Sequence, residues 1–502
     1  MSAMNAVRYP ALVVLAAMVV GATLFASPPE PVGRATLLPP VHAALSTTPD
    51  SGDLWFCMGP TADMDGIAER IVTLTSISDE PTIGRVTVNG DNGAEVERAF
   101  QLEPGRNMEI RPGPFVPGAF FAGVTVEVPG GRVLVEQRIT GGATGDGAGD
   151  RPAPGIGTGV DEAPCGTITS ASWQVPWATT AEPGNTAALL VYNPFRAPAV
   201  ANLRFIGDLG RRETLDTRGV VVAGRSLAVF DLNDLIPDSA VVSASVDARV
   251  GQLVVARLQI ADLPASDTGG TRGSTGLAVT PGLPETSDRL FLPGVSRDWG
   301  ITSSVVVMNP GEDTTELEVL VRPEAIGTFV EPWRVTLRGR QRQVVDLGSG
   351  RIADAGRFGV EVRSLDGAPL AASLVSRPEG GTTAAGLVVL PAVGAAATDW
   401  IVHLTGPADQ AVLVVSNPGE TTIATVRLSL LGAAWPSDTP DLYEIDPAGH
   451  IEVELGAAIA AEATVLVDST VPVLSVMRRV DPAGRSSSFG MAIAGTQARP
   501  SS

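Results

Sequence analysis

Lysine is absent from this 502-residue chain, and all 35 basic residues are arginine. There are only three histidines (His42, His403, His450) and two cysteines (Cys57, Cys165). That inventory argues against a multi-histidine metal centre, a Cys/His zinc site and a Cys–His dyad. Aromatic residues make up 5%, so the cores must be built from Val, Leu, Ile and Ala. Positive charge is short throughout, and the formal net charge is −20. Nucleic acid binding needs clustered cations that displace counterions, and a broad anionic surface needs the same, so both are disfavoured as partners. No Gly-x-Ser-x-Gly elbow, phosphate loop or dinucleotide fingerprint occurs, nor the strand–helix alternation that would carry one. The chain therefore points to no cofactor, no catalytic residue and no metal ligand.

Long apolar runs are lacking too, apart from one. Ala11 to Ala26 (ALVVLAAMVVGATLFA) carries no charge and follows Arg8. It is short for a membrane span, which needs roughly 17–25 residues. Residues 1–27 read as a retained signal-anchor helix or a cleaved signal peptide, and either one sends the rest of the chain out of the cytoplasm. Residues 28–49 are Pro-rich and read as a tether.

What the sequence has in quantity is repetition. Three segments align: Ala188 to Ile206, Ser304 to Arg322 and Val412 to Leu430. Each holds an apolar strand, an Asn-Pro pair (Asn193-Pro194, Asn309-Pro310, Asn417-Pro418), a polar turn and an alternating strand. A more diverged copy starts near Arg70, with Ile77-Ser78 in the Asn-Pro slot. Other landmarks keep the same order. An opening strand carries Trp55, Trp173 or Trp400, with Leu290-Phe291-Leu292 in the remaining copy. An acid-plus-apolar strand end recurs at Glu109, Asp231, Asp346 and Glu454. Two β-branched runs, such as Val124 to Val126 and Val133 to Val135, read as a hairpin. A short final strand starts at Gly276, Gly386 and Gly490. Period-2 strands spaced by Gly, Pro and Asp predict an antiparallel sandwich of immunoglobulin-like size. The expected fold is all-β: four tandem immunoglobulin-like sandwich domains, residues 50–166, 167–283, 284–395 and 396–502, after one N-terminal apolar helix. Helical turns are expected only near Leu232–Ile236 and Leu455–Ala461. Gly141 to Gly159 reads as a flexible loop.

Cys57 and Cys165 fall at opposite ends of the first domain, outside the cytoplasm, and should form a disulfide. Arg338, Arg340 and Arg342 alternate, which would align three guanidinium groups on one strand face and suit an anionic glycan or phosphate. The acids repeated in every copy serve the scaffold, for instance by bonding turn amides.

The motifs Trp55-Phe56-Cys57, Ala163-Pro164-Cys165 and Leu190-Val191-Tyr192-Asn193-Pro194-Phe195 resemble those of a family of uncharacterised actinobacterial exported proteins, a domain of unknown function. The resemblance implies a cell-envelope setting and supplies no catalytic residues. The chain is thus expected to be a non-enzymatic, extracytoplasmic scaffold, attached to the membrane by its apolar segment and contacting envelope proteins or polysaccharide. A carbohydrate-binding accessory protein for polysaccharide assembly is the alternative, and an extracellular hydrolase comes last.

Overall fold

The polar turns and period-2 runs become strands arranged in one repeated pattern. The computed structural model describes residues 44–45, 53–61, 68–129, 132–141, 159–181, 185–262, 275–296, 301–323, 330–348, 352, 356–378, 386–404, 410–455, 459, 463–481, 484–493 and 497–498. Contacts divide the chain into Met1–Leu38 and Pro39–Ser502, and every described residue lies in the second part. The apolar segment, the tether apart from Ala44–Leu45, and residues 142–158 lie outside the described residues, as does most of the expected turn after Leu455. Among the described residues no helix is long and apolar enough to cross a membrane. The α-helix in them is a single turn, Leu232–Leu235.

Each of four units has eight strand positions. The first strands are Asp53–Pro60, Ser172–Ala178, Arg289–Ser296 and Ala396–His403. The second are Glu69–Ser76, Asn185–Asn193, Ile301–Asn309 and Gln410–Ser416. The third are Thr82–Gly90, Ala199–Gly207, Thr315–Pro323 and Ala424–Leu430, each followed by a short fourth strand that hairpins onto it. The sixth and seventh in units 1 to 3 are Phe121–Val128 and Val133–Gly141, Val242–Val250 and Val254–Asp262, and Arg357–Ser364 and Ala371–Pro378. The eighth are Gly159–Pro164, Thr275–Pro281, Val388–Pro391 and Gly484–Phe489. One sheet runs first–sixth–third–fourth and the other fifth–second–seventh–eighth, in every unit.

The sixth and seventh strands are therefore not a hairpin. They lie in different sheets, and in unit 4 they are one 18-residue strand, Thr464–Asp481. Its first part pairs with the first and third strands, and its last part with the second and eighth. Continuous β-branched sequence suits such a crossing, because both parts stay extended while the strand bends from one sheet to the other.

Apolar side chains of both sheets meet in shared cores. Trp55, Val88 and Val124 from one sheet pack with Leu74 and Val135 from the other in unit 1. The third strands alternate: in Thr315–Pro323, Thr315, Leu317, Val319 and Val321 are buried and the residues between them are not. The second strands do not: Leu189 to Asn193 are all at most 1% exposed. A strand buried on both faces reads as an unbroken apolar run, and here the second cover is the preceding unit. Tyr192 donates to Asn89 Oδ1 of unit 1 at 2.7 Å. Met308 clusters with Ile206 and Leu283 of unit 2.

The same docking recurs around a closed cycle. Phe56 and Met58 enter the core of unit 2. Trp177 packs with Val306 and Val375 of unit 3, and units 3 and 4 share one continuous core. Ile401 and Met491 of unit 4 return to the core of unit 1. The eighth strands meet at the centre through four equivalent glycines. A Cβ on Gly159 would stand 2.5 Å from the Leu277 amide nitrogen, on Gly276 2.5 Å from that of Leu387, and on Gly386 2.7 Å from that of Arg485. One on Gly484 would meet Val160 and Gly159, which completes the circuit. The chain start also returns to its end: Ala44–Leu45 pairs in parallel with Ala492 and Ile493.

Candidate functional site

The strongest concentration of perturbed ionisable groups lies where unit 4 meets unit 1. The seventh and eighth strands of unit 1 bring Glu136, Arg138 and Glu162. Unit 4 brings His403 from its first strand and Arg479 from its seventh. Arg479 Nη1 donates to both carboxylate oxygens of Glu162 at 2.7 Å, and Arg138 Nη1 lies 3.4 Å from Oε2. Glu136, Glu162, Arg479 and His403 are each only 5–6% exposed. The imidazole of His403 is held between two hydroxyls, with Nε2 3.2 Å from Thr75 Oγ1 and Nδ1 2.8 Å from Thr464 Oγ1. Burial pushes the Glu136 carboxyl well above its usual range, and the Glu162 charge adds to that. Arg479 and the His403 amide pull it back only in part. Burial, then the Arg479 charge, pulls His403 down to about 4.

The other seams carry their own charges. Between units 1 and 2, Asp161 Oδ2 accepts from the Val279 amide at 2.6 Å. Burial raises its carboxyl to about 6, against that bond and the charge of Arg257. Arg257 is buried 5.0 Å over the Trp177 ring, and desolvation lowers it to about 9. Between units 3 and 4, Glu361 takes bonds from Arg289 at 2.6 Å, Arg322 at 2.6 Å and Arg363 at 2.8 Å. Glu420 of unit 4 joins through Arg289 and Arg363. Burial pushes Glu361 up, but the bonds from Arg289 and Arg322 outweigh it, so the carboxyl lies below its usual range. A cavity of about 30 Å³ beside Glu361, Asn417 and His450 has the volume of about one water molecule. Such seams can hold units in register.

The sequence-derived residues fall as follows. Cys57 and Cys165 are bonded, with Cα atoms 4.9 Å apart. The arginine row is corrected. Trp333–Leu337 ends before Arg338, and Gly339-Arg340 is the turn to the next strand, Gln341–Asp346, in the other sheet. Arg340 has φ 56° and pairs with Glu312, while Arg342 reaches Asp208 of unit 2 at 2.5 Å. A turn intervenes because Gly339 permits backbone approach that a side chain would block, its missing Cβ lying against Glu312. His42 lies outside the described residues. His450 opens the strand His450–Glu454.

The Asn-Pro slots are equivalent. Each Asn Nδ2 donates to a turn carbonyl (Ala197, Asp313, Thr422) and to a carbonyl at the end of a neighbouring strand (Val222, Leu337, Ile445). Each Oδ1 accepts from the amide two residues on. Of the repeated acids, Asp231 and Asp346 do bond turn amides, those of Asn233 and Gly348.

Sequence reasoning missed Glu136, Glu162 and Arg479. One signal was available: Val133-Leu134-Val135 is an unbroken apolar run, so both strand faces are covered, and Glu136, on the face opposite Val133 and Val135, meets another unit instead of solvent. The matched region of known families is broad. Residues 132–324 and again 267–502 match the model of a family described as a family of unknown function, DUF5719. No curated protein and no solved structure gave a significant match.

Proposed function

The chain belongs to the DUF5719 family, and from that premise we propose that it is a non-enzymatic, extracytoplasmic scaffold of the cell envelope. Its four sheet pairs are immunoglobulin-like sandwich domains, residues 50–166, 167–283, 284–395 and 396–502, arranged as a closed ring instead of an extended spacer. One observation carries the reading: the carboxylates of Glu136 and Asp161, raised by burial, and the buried His403 are packed in seams between units. Enzyme sites gather such groups in one concave place. The disulfide favours an oxidising compartment, in keeping with export through the apolar segment at residues 11–26 and attachment to an actinobacterial membrane. Envelope proteins are the expected partners, and envelope polysaccharide the second class.

The test is a screen of the purified ectodomain against envelope polysaccharides and against generic ester, peptide and glycoside substrates. The expected outcome is no turnover, with capture of envelope proteins by the tagged protein. Turnover abolished by changing one or two unrepeated acids would refute the scaffold. Saturable polysaccharide binding without turnover would move the protein to the carbohydrate-binding class.

A further inference from the structure

Three seams join units that are consecutive in the chain, whereas the seam between units 4 and 1 joins the last unit to the first, and Ala44–Leu45, just upstream of unit 1, pairs with Ala492 and Ile493 of unit 4. The disulfide lies within unit 1 and does not cross it. Around Glu136 stand Arg138 on its own strand, Glu162 on the next strand, and Arg479 and His403 across the seam. Thr75 and Thr464 occupy both imidazole nitrogens of His403. We propose that this seam is a proton-dependent clasp, closed while Glu136 carries a proton and loosened when that proton is lost.

The geometry sets the argument. Arg479 already donates to both oxygens of Glu162, and Glu136 Oε2 receives no hydrogen bond. An ionised Glu136 would thus place a second buried negative charge beside Glu162 with one shared cation across the seam. A protonated Glu136 removes that repulsion and its desolvation cost. When the seam opens, Glu136 returns to water, where a glutamate ionises near ~4.3. Above that pH the open form holds one proton fewer than the closed form. Opening therefore rises with pH, by about tenfold per unit, until Glu136 ionises in place. Burial, reinforced by Glu162, keeps that point well above the ordinary range. His403 acts in the opposite sense: it stays neutral down to about 4 in the closed seam, whereas an imidazole returned to water protonates near ~6.5. Below about 6.5 the proton that His403 gains on opening offsets the one that Glu136 loses, so the two contributions balance in mild acid and the loosening with rising pH appears above about 6.5. It concerns how the chain ends are held and does not depend on what the protein binds.

The His403 amide faces the Glu136 carboxyl across the seam, so its hydrogen exchange reports opening. Exchange would be measured on the intact protein between pH 6.5 and pH 8 and corrected for the intrinsic pH dependence of amides. The corrected exchange around His403 should rise with pH, by up to about tenfold per unit until Glu136 ionises in place, while the second strand of unit 3, Ile301–Asn309, stays unchanged. Glu136→Gln should flatten the His403 profile and keep protection high at pH 8. The same slope in both segments, or in Glu136→Gln and the parent protein, overturns the clasp. Should Glu136→Gln fail to fold, the comparison of the two segments in the parent protein decides.

Discussion

Placing a methyl group at the centre of the ring tests whether the cycle is closed. In Gly276→Ala the new Cβ would lie 2.5 Å from the Leu387 amide nitrogen and 2.6 Å from Leu387 Cβ. Ordinary contact starts at 3.4 Å, so the eighth strands of units 2 and 3 must separate by about 1 Å, an overpacking shift that costs about 1–3 kcal/mol. The upper end is expected, because the obstacle is backbone and cannot rotate away. Gly159→Ala should cost a similar amount, since its Cβ would stand 2.5 Å from Leu277 N. The double variant should cost less than the sum, because an axis already opened by one methyl admits the second more easily. Gly356→Ala is the control: nothing lies within 4 Å of its added Cβ, so it should stay within about 0.5 kcal/mol of the parent. Urea unfolding followed by fluorescence of the buried Trp55, Trp173 and Trp400 reads the first transition. If Gly276→Ala unfolds at the same urea concentration as Gly356→Ala, the eighth strands do not meet as described and the ring is wrong.

The disulfide closes a sequence separation of 108 residues, so Cys57→Ser/Cys165→Ser should lose up to roughly 4–5 kcal/mol in urea unfolding, and the unreduced parent should show no reactive thiol after denaturation. Asn309→Ala removes two donated bonds and one accepted bond and leaves carbonyls of Asp313 and Leu337 without it; a loss of about 2–3 kcal/mol is expected, measured by thermal unfolding against Asn92→Ala on an exposed turn. Arg479→Met removes the two 2.7 Å bonds to Glu162 and leaves it beside Glu136 with Arg138 at 3.4 Å; it should cost about 3 kcal/mol at neutral pH, with a smaller loss at pH 4.5, where protonation relieves the acids. Asp161 is raised in the folded state to about 6, so it contributes stability below its unfolded value that disappears as pH rises through about 6. Asp161→Asn keeps an acceptor for the Val279 amide and lacks that loss. Its stability relative to the parent should therefore climb by up to about 2–3 kcal/mol between pH 4 and pH 6, at the low end because Asp161 keeps some solvent contact. A flat difference would contradict the assignment.

The strands and their repetition were legible because each signal is local. Alternation in Thr315–Pro323 follows from one face meeting a core, and the Asn-Pro slots recur because the same side-chain staple ends the same strand. Sheet membership was less legible. Val124 to Val126 and Val133 to Val135 look like hairpin partners, since period-2 patterning states which side chains face inward and not which strand lies alongside. The arginine row failed for the same kind of reason: alternation at Arg338, Arg340 and Arg342 holds only if the chain stays extended, and it turns at Gly339-Arg340. The unbroken apolar runs of the second strands did carry a trace of the ring. They are more hydrophobic than a strand with one solvent face requires, and a neighbouring unit supplies the second cover.

The sequence by itself determined an all-β chain built from repeats, the recurring Asn-Pro slots and the pairing of its only two cysteines, because each depends on residues close in the chain or on elimination. The tertiary structure decided the rest. Glu162 and Arg479 are 317 residues apart in sequence and meet only because four units close on themselves. Each seam docks a first strand against the next unit, and the four central glycines remove the side chains that would hold the eighth strands apart. A buried charge cluster assembled by that closure has no sequence motif, since its members come from four strands of two units; what places them together is the packing of unit 4 against unit 1.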